Sequence, residues 1–383
     1  MRYEALDSIC KVAAGGTPSR SKTEYWEDGS IPWIKIGNIK SKYVSEADEY
    51  ITESGLNNSS AKLFAKGTIL YTIFATLGEV GILDMAACTN QAIAGISIEK
   101  SKLMTTDYLY YYLKSKKAEV NQMGRGVAQN NINLSILRKF SIPVRDQNEQ
   151  ERIVETLNHI EAVIENKKTE LANLDNLIKA RFVEMFGDRF LNTMNWPTKK
   201  LGDCATFRNG KAHEKVISET GQYVLITSRA IASDLQDVRH TDSLLTPLAT
   251  GDIVMVMSDV PNGKALAKCL LITENEKYTL NQRICSLSNY DLNPVFFTYL
   301  LNRHQFFLSF NDGNGQTNLR KDDILNCPLI RPSIELQNQF ANFVAQIDKS
   351  KFVLSNELTM CNFYIRLIHD RVMHSCINLR VAQ

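Results

Sequence analysis

The sequence predicts an α+β protein: two mixed α/β blocks separated by two long helices, the helices packed as an antiparallel coiled coil and the halves related by a pseudo-twofold internal repeat. Three observations carry this. From Asp146 to Gly187, apolar residues recur at steps of four and three (Ile153, Leu157, Ile160, Ile164, Leu171, Leu174, Ile178, Met185), the 3.5-residue repeat of a helix packed along one seam. A second stretch, from about Ile334, keeps the same spacing through Phe340, Val344, Ile347, Leu354, Leu358, Cys361, Ile365, Ile368 and Val372. Ahead of each stretch lie short β-type runs and one aromatic helix.

Taken in order, residues 1–145 form the first block. Its β-type runs are IPWIKIGNI (31–39), GTILYTI (67–73), VGILDM (80–85) and AIAGISI (92–98), bounded by turn residues. A helix with an aromatic face is expected from Asp107 to Gln122, broken by Gly124-Arg125-Gly126. The first rod occupies 146–187; no proline interrupts it, and Gly187 follows as its stop. At about 1.5 Å per residue, some 38 residues make a rod of about 55–60 Å. Residues 188–333 hold a linker up to Pro197 and the second block, with runs QYVLITS (222–228), GDIVMVM (251–257), ALAKCLLI (265–272) and RICSLS (283–288), then a helix from Pro294 to Phe310. The second rod and a tail fill 334–383. Lys167 and Lys351 each interrupt an apolar stripe. A stripe this narrow needs a partner helix. The matched second rod supplies one within the chain, although each rod packing on a different chain has the same pattern.

The duplication is explicit. At a constant offset of 187 residues, Gly126 meets Gly313, Gln129 meets Gln316, Asn131 meets Asn318, Gln150 meets Gln337, Ile153 meets Phe340 and Ile160 meets Ile347. Upstream the offset drifts: Asn90-Gln91 matches Asn281-Gln282, and YLYYYL (108–113) matches VFFTYL (295–300). The blocks therefore diverge in their loops. The stretch PLIRP (328–332) is shuffled relative to SIP (141–143), so the approach to the second rod is expected to bend differently.

Composition narrows the function. A hydrophobic content of 44% with 22% charged residues is that of a folded domain protein, and no apolar run approaches the ~20 residues of a membrane span. The N-terminal stretch lacks the apolar core of a secretory signal, and the eight cysteines show no metal-ligand spacing. Both predict a cytoplasmic protein with reduced structural thiols. A net charge of +2 neither argues for nucleic acid nor against it. No GxxxxGK[ST] loop and no HExxH pair is present. Asn293-Pro-Val-Phe296 is close to the Asn-Pro-Pro-Tyr/Phe motif of amino-group methyltransferases, but Val295 replaces the second proline and no Gly-rich cofactor motif accompanies it. His159, His369 and His374 read as helix-surface residues, and the surroundings of Asp259 and Lys264 make no nuclease constellation.

A family resemblance rests on these same residues. Leu6-Asp-Ser-Ile9 leading to Gly15-Gly-Thr-Pro18, Pro32-Trp-Ile-Lys-Ile-Gly-Asn-Ile39, Gly67-Thr-Ile-Leu70, the Tyr108 helix, Gln129-Asn-Asn-Ile132 through Gln150-Glu-Arg-Ile153, and Phe186-Gly-Asp188 before Trp196-Pro197, in this order and twice over, resemble the specificity (S) subunit of type I restriction-modification systems. The resemblance implies two target-recognition domains, each reading one half of a split site in double-stranded DNA. It implies conserved helices that set the spacing and dock methyltransferase (M) subunits, with endonuclease-translocase (R) subunits completing the enzyme. It also implies no chemistry and no cofactor in this chain: S-adenosylmethionine would sit on M, ATP and Mg on R. Competing readings are a protein-interaction scaffold that dimerises through its rods, and a fused methyltransferase, against which the missing cofactor motifs speak.

Base reading needs polar side chains on loops that enter a groove. The first block offers Arg20, Lys22, Lys35, Asn38, Thr76, Arg125, Gln129 and Asn130; the second offers Arg229, Ser258, Asn262, Lys264, Arg283, Asn314, Gln316 and Arg320. Residues shared by both copies, such as Asn90-Gln91, read as structural or backbone-contacting, because the two blocks are expected to read different sequences. For Arg229, Asn262 and Lys264 a solvated loop is the equal alternative. Trp33 and the tyrosine cluster read as core.

Overall fold

The structure is a computed structural model that describes residues 2–124, 131–260 and 263–370. The chain divides into two compact units, Met1–Lys168 with Asn356–Gln383, and Thr169–Ser355.

In unit 1 the strands are β1 (Arg2–Ala5), β2 (Cys10–Ala14), β3 (Ile31–Ile34), β4 (Tyr43–Val44) and β5 (Glu49–Ile51). They continue with β6 (Ile69–Thr72), β7 (Val80–Leu83), β8 (Cys88–Thr89), β9 (Ile93–Ile98) and β10 (Ser141–Val144). One sheet has the order β2-β9-β6-β7-β4; a smaller one runs β5-β3-β8; β1 pairs with β10. The central strands are buried on both faces, which is why they read as unbroken apolar runs rather than as alternation. Their period of two still divides two cores. Ile69 and Tyr71 face the tyrosine helix (Thr106–Ser115), while Leu70 joins Ile34, Val44 and Phe64 on the other side.

Unit 2 repeats this plan. Its strands are β11 (Thr198–Lys200), β12 (Thr206–Asn209), β13 (Tyr223–Ile226), β14 (Arg239–Thr241), β15 (Ile253–Val256) and β16 (Ser258–Asp259). Then come β17 (Cys269–Leu271), β18 (Tyr278–Leu280), β19 (Ile284–Ser288), β20 (Thr317–Asn318) and β21 (Pro328–Ile330). The main sheet is β12-β19-β15-β17, the small one β14-β13-β18, and β11 pairs with β21. In both small sheets the first strand, β3 or β13, has one antiparallel and one parallel neighbour. Ile253 and Met255 face the phenylalanine helix (Pro294–Leu301), and Val254 and Val256 face Val224 and Ile226.

The rods are helices Gln147–Phe186 and Ile334–Ile368. Each unit contains part of both, and in each the parts pack antiparallel. In unit 1, Ile365 and Ile368 pack on the core that holds Ile153 and Leu157, and Lys167 pairs with Glu357. In unit 2, Ile178, Phe182 and Phe186 share a core with Phe340 and Val344, and Lys351 meets Asp175 at 2.6 Å. The two lysines that interrupt the stripes thus supply cross-helix ion pairs. Gly187 (φ +73°) stops the first rod as expected. Val372 lies outside the described residues.

Three expectations need correction. The helix expected over 107–122 is two helices, Thr106–Ser115 and Lys117–Gly124. The second turns onto the β6–β7 connection, where Lys117 pairs with Glu79 at 2.6 Å and Asn121 donates to the Leu77 carbonyl at 3.1 Å. The helix expected over 294–310 also breaks, into Pro294–Leu301 and Gln305–Leu308, because Arg303 is left-handed (φ +56°) and His304 caps the second piece. The shuffled Pro328–Pro332 stretch does not change the approach to the second rod. Gln150 and Gln337 are both buried, and each makes the same clamp. Gln150 Oε1 accepts from the Thr105 amide at 2.9 Å, and its Nε2 donates to the Arg145 and Leu103 carbonyls at 2.9 and 2.8 Å. Gln337 Oε1 accepts from the Asn293 amide and its Nε2 donates to the Pro332 carbonyl, both at 2.9 Å.

Thr105 and Asn293 are the N-caps of the aromatic helices, so one duplicated amide locks each aromatic helix to the start of a rod. The tyrosines are core, as expected, but their hydroxyls are tethered. Tyr108 donates to the Pro143 carbonyl (3.1 Å), Tyr112 to the Ser141 carbonyl (2.8 Å), and Tyr111 to Asn158 on the rod (2.7 Å). Residues 188–196 are more than a linker. Half-buried Arg189 donates to the Tyr299, Asn302 and Arg303 carbonyls at the end of the phenylalanine helix, and the Trp196 indole donates to the Phe186 carbonyl at 3.0 Å. Orphan carbonyls of two helix ends are satisfied this way.

Replacing Gln150 by Leu strands a buried amide and two carbonyls, so Gln150→Leu is expected to cost about 2–4 kcal/mol in denaturant unfolding, and Gln337→Leu about 1–3. Changes below about 0.5 kcal/mol would remove the clamp from this account. Burial holds the His304 imidazole down at about 4 from its ordinary 6.5. The unfolded chain protonates first as pH falls, so stability is whole above the ordinary value and drains between about 6.5 and 4, by up to about 3 kcal/mol. His304→Asn keeps a capping side chain and should flatten that slope when unfolding midpoints are compared across the same pH range.

Candidate functional site

In unit 1, four of the predicted residues gather at one place. Arg20 Nη2 lies 2.5 Å from Glu49 Oε2, and Lys35 Nζ lies 2.7 Å from Glu49 Oε1. Glu49 sits opposite Trp33 in the β3–β5 register, which places its carboxylate between the two cations. The Lys35 bond, aided by Arg20, holds that carboxyl below the usual range. The Arg20 guanidinium carbon stands 3.6 Å over the Trp26 ring and 4.9 Å from that of Trp33. Lys22 donates to the Tyr25 hydroxyl at 2.9 Å. Asn38 is used internally: its Oδ1 accepts from the Lys35 amide at 2.9 Å and turns the chain after β3. Thr76 lies elsewhere, exposed beside the left-handed Ala75 in the β6–β7 connection, its carbonyl accepting from the Thr72 hydroxyl.

In unit 2, a second group forms around β16 and β20. Gln316 donates to the Ser258 hydroxyl at 2.6 Å and to Asn318 at 3.2 Å. The Met257 amide donates to the Arg283 carbonyl at 3.0 Å, bringing exposed Arg283 beside Ser258. Gln316 and Arg320 line one open hollow of about 390 Å³ with Asp312 and Asp323. Arg320 opens the helix Lys321–Leu325, its amide donating to Asp323 at 2.8 Å, and Asn314 is exposed with its amide on Asp312 at 3.0 Å. The loop bearing exposed Lys264 is tied down by Asp259, whose carboxylate accepts from the Val260, Ala265 and Leu266 amides at 2.9, 2.7 and 3.1 Å. Arg229 belongs to the helix after β13, where it faces Asp237 at 3.6 Å. That place corresponds to the Lys35–Asn38 turn after β3.

Arg125, Gln129, Asn130 and Asn262 lie outside the described residues, as does His374. The shared Asn90 and Asn281 each make the same turn: their Oδ1 atoms accept from the Ala92 and Arg283 amides at 3.1 and 3.4 Å. Asn293, within the methyltransferase-like tetrapeptide, caps a helix by accepting from the Val295 amide at 2.9 Å. Sequence reasoning missed Trp26 and Glu49, and it weighed Asp259 only for a nuclease constellation, not as the restraint on a loop. The available signal was weak: an aspartate ahead of Pro261-Asn-Gly263, where turn chemistry is expected, whereas Glu49 sits in a three-residue strand too short to read from sequence.

Among the described residues no cluster of three or more His, Cys, Asp or Glu side chains could hold a metal ion, and no helix is long and apolar enough to cross a membrane. Burial pushes the thiols of Cys10 and Cys285 up to about 12 and so keeps them from acting as nucleophiles.

A family model described as the type I restriction modification DNA specificity domain matches residues 2–176 and again 194–359. The chain belongs to this specificity family. The type I restriction enzyme MjaIX specificity subunit of Methanocaldococcus jannaschii is 32% identical over 225 residues, 54% of this chain and 51% of that protein. A type I restriction enzyme specificity subunit of Escherichia coli is 30% identical over 169 residues, 43% of this chain and 41% of that protein. The matches thus span about half the length of these relatives or less. The S subunit of a type I restriction-modification system from M. genitalium shares the fold, with a TM-score of 0.52 at 16% identity over 98% of this chain and 96% of that one. The two separate matches to one specificity domain agree with the two units of repeated topology.

Asp259 is the restraint on the Lys264 loop in this specificity fold. Asp259→Ala should raise hydrogen exchange at the Ala265 and Leu266 amides by at least tenfold and cost about 2 kcal/mol of stability. Unchanged exchange at those amides would mean that the loop is held by something else.

Proposed function

We propose that this chain is the non-catalytic DNA-specificity subunit of a type I restriction-modification enzyme, with residues 1–145 and 188–333 as target-recognition domains for the two halves of a bipartite site. The observation that carries the reading is a repeat whose scaffold is kept and whose candidate contact loops differ. The Gln150 and Gln337 clamps, the first four main-sheet strands and the three-stranded small sheet recur, whereas the turn after β3 carries Lys35 near Arg20 and Glu49, and that after β13 carries Arg229 with Asp237. Two readers on equivalent scaffolds suit a site with two unlike halves.

In this reading Arg20, Lys22 and Lys35 in the first domain, and Lys264, Arg283, Gln316 and Arg320 in the second, meet DNA, as do Arg125, Gln129, Asn130 and Asn262, which lie outside the described residues. Asn314 borders the loop of Gln316, Thr76 and Arg229 lie on turns of their own, buried Ser258 positions Gln316, and Asn38 acts through Lys35. The paired helices, 146–187 and 334–383, set the spacing between half-sites and dock methyltransferase subunits. Those subunits bring S-adenosylmethionine and much of the phosphate contact, consistent with a net charge of only +2. Endonuclease-translocase subunits, with ATP and Mg, complete the assembly in the cytoplasm.

The reconstituted complex with methyltransferase subunits is expected to bind duplex DNA selectively, with affinity falling steeply as salt rises. Exchanging residues 1–145 for another first domain should change one half of the methylated sequence and leave the other half and the spacing intact. A methylation map unaltered by the exchange would refute the domain assignment, and salt-independent capture of protein partners alone would favour the interaction scaffold.

A further inference from the structure

The loop leading to Arg20 is tied to its surroundings by two tryptophan indoles and two close backbone passes. The Trp33 indole donates to the Gly16 carbonyl at 3.0 Å and the Trp26 indole to the Ser19 carbonyl at 3.2 Å. The two rings meet edge to face at 5.0 Å. A Cβ at Gly15 would lie 2.3 Å from the Thr89 carbonyl oxygen, and one at Gly16 equally close to that of Ser60, so backbone passes tightly over backbone here. Arg20 leaves this fixed base with its guanidinium over Trp26 and one amino group on Glu49, while its side chain remains half exposed.

A guanidinium is a planar fork of five N–H donors. The Trp26 ring, 3.6 Å from its carbon, and Glu49, on one amino group, restrain it, and the fork keeps further donors for a ligand. Two partner types fit such donors, a phosphate and the O6/N7 edge of guanine. Charge decides between them. A phosphate would approach to within a few ångströms of the Glu49 carboxylate and lose part of its attraction to Arg20, whereas guanine O6 and N7 are neutral acceptors and lose less. A phosphate contact also needs no fixed plane, while a bidentate base contact does. Lys35 on the other Glu49 oxygen keeps the group cationic, two positive charges against one negative, so the approach of DNA is still favoured.

We infer that Arg20 reads a guanine in the major groove and that Glu49 and Trp26 are its positioning residues. The inference rests on the proposed DNA-reading function and narrows it to one base of one half-site. Unit 2 builds the corresponding stretch differently. There Gly210 leads to Lys211 and the buried His213, whose ring nitrogens meet the Lys211 carbonyl at 2.7 Å and the Thr279 hydroxyl at 3.0 Å. The guanine therefore belongs to the half-site of the first domain.

The test selects duplexes from a library with randomised half-sites, using the complete complex with methyltransferase subunits. Wild type should select a guanine at one position of one half-site, and Arg20→Ala should lose preference at that position alone. Glu49→Gln should weaken the preference by about tenfold without lowering affinity for random duplex, because the phosphate-repelling charge is removed. Replacing that guanine by 7-deazaguanine should weaken wild-type binding by about tenfold and leave Arg20→Ala unaffected; this arm needs no change to the protein. Selection of a split site by Arg20→Ala that matches wild type overturns the inference and leaves the function standing. So does a Glu49→Gln complex that loses affinity equally for all duplexes while keeping its preference. No selection of any sequence by the wild-type complex defeats the underlying reading itself.

Discussion

A forty-residue helix with one narrow apolar stripe has nowhere of its own to bury that stripe. Everything else in this chain is arranged around that constraint. The stripe of the first rod is covered at its start by Ile365 and Ile368 and at its end by Phe340 and Val344, so the second rod serves both parts in the opposite direction. The cores then close around these seams. Tyr111 bonds to Asn158 on the first rod, and Phe296 packs against Phe182 and Phe186 of the same rod. Gln150 and Gln337 fix the direction in which each rod departs. Without the seam neither aromatic helix would have a floor.

Much of this was legible in the sequence, because its signals are local or periodic. The stripe, Gly187 and the repeat needed only counting. The pairing of Gln150 with Gln337 at a constant offset pointed to one shared role, and each accepts from the aromatic helix's N-cap amide and donates to the carbonyl five residues before it. The breaks at Lys116 and Arg303 were illegible, since each is set by what the next helix meets: Glu79 and Leu77 in one case, a left-handed residue and a buried histidine cap in the other. The linker looked polar and irregular, yet Arg189 is held by carbonyls that the sequence gives no means of locating.

The candidate contact surface was legible only as a set of residue types. Arg20 and Lys35 were singled out for being basic and in loops, but Glu49, which joins them, was hidden because it becomes their neighbour only when β5 pairs with β3. Ser258 and Gln316 are likewise brought together by the two-residue β16–β20 pairing, across 58 positions of chain. Composition finds candidates; strand register decides which of them share a place. The two units show how far this can vary on one plan, with an arginine stacked on tryptophan in one and a histidine buried on a threonine in the other.

The composition of the units also orders events at the ribosome. Unit 2 is one continuous segment, Thr169–Ser355, so everything it requires has been synthesised once Ser355 is made. Unit 1 is split: its larger part is translated first, but Ile365 and Ile368, which cover its end of the seam, come after the whole of unit 2. The block synthesised first is the last to be completed. Until then its core lacks these two side chains, and nascent chains would carry it incomplete throughout elongation of the second half.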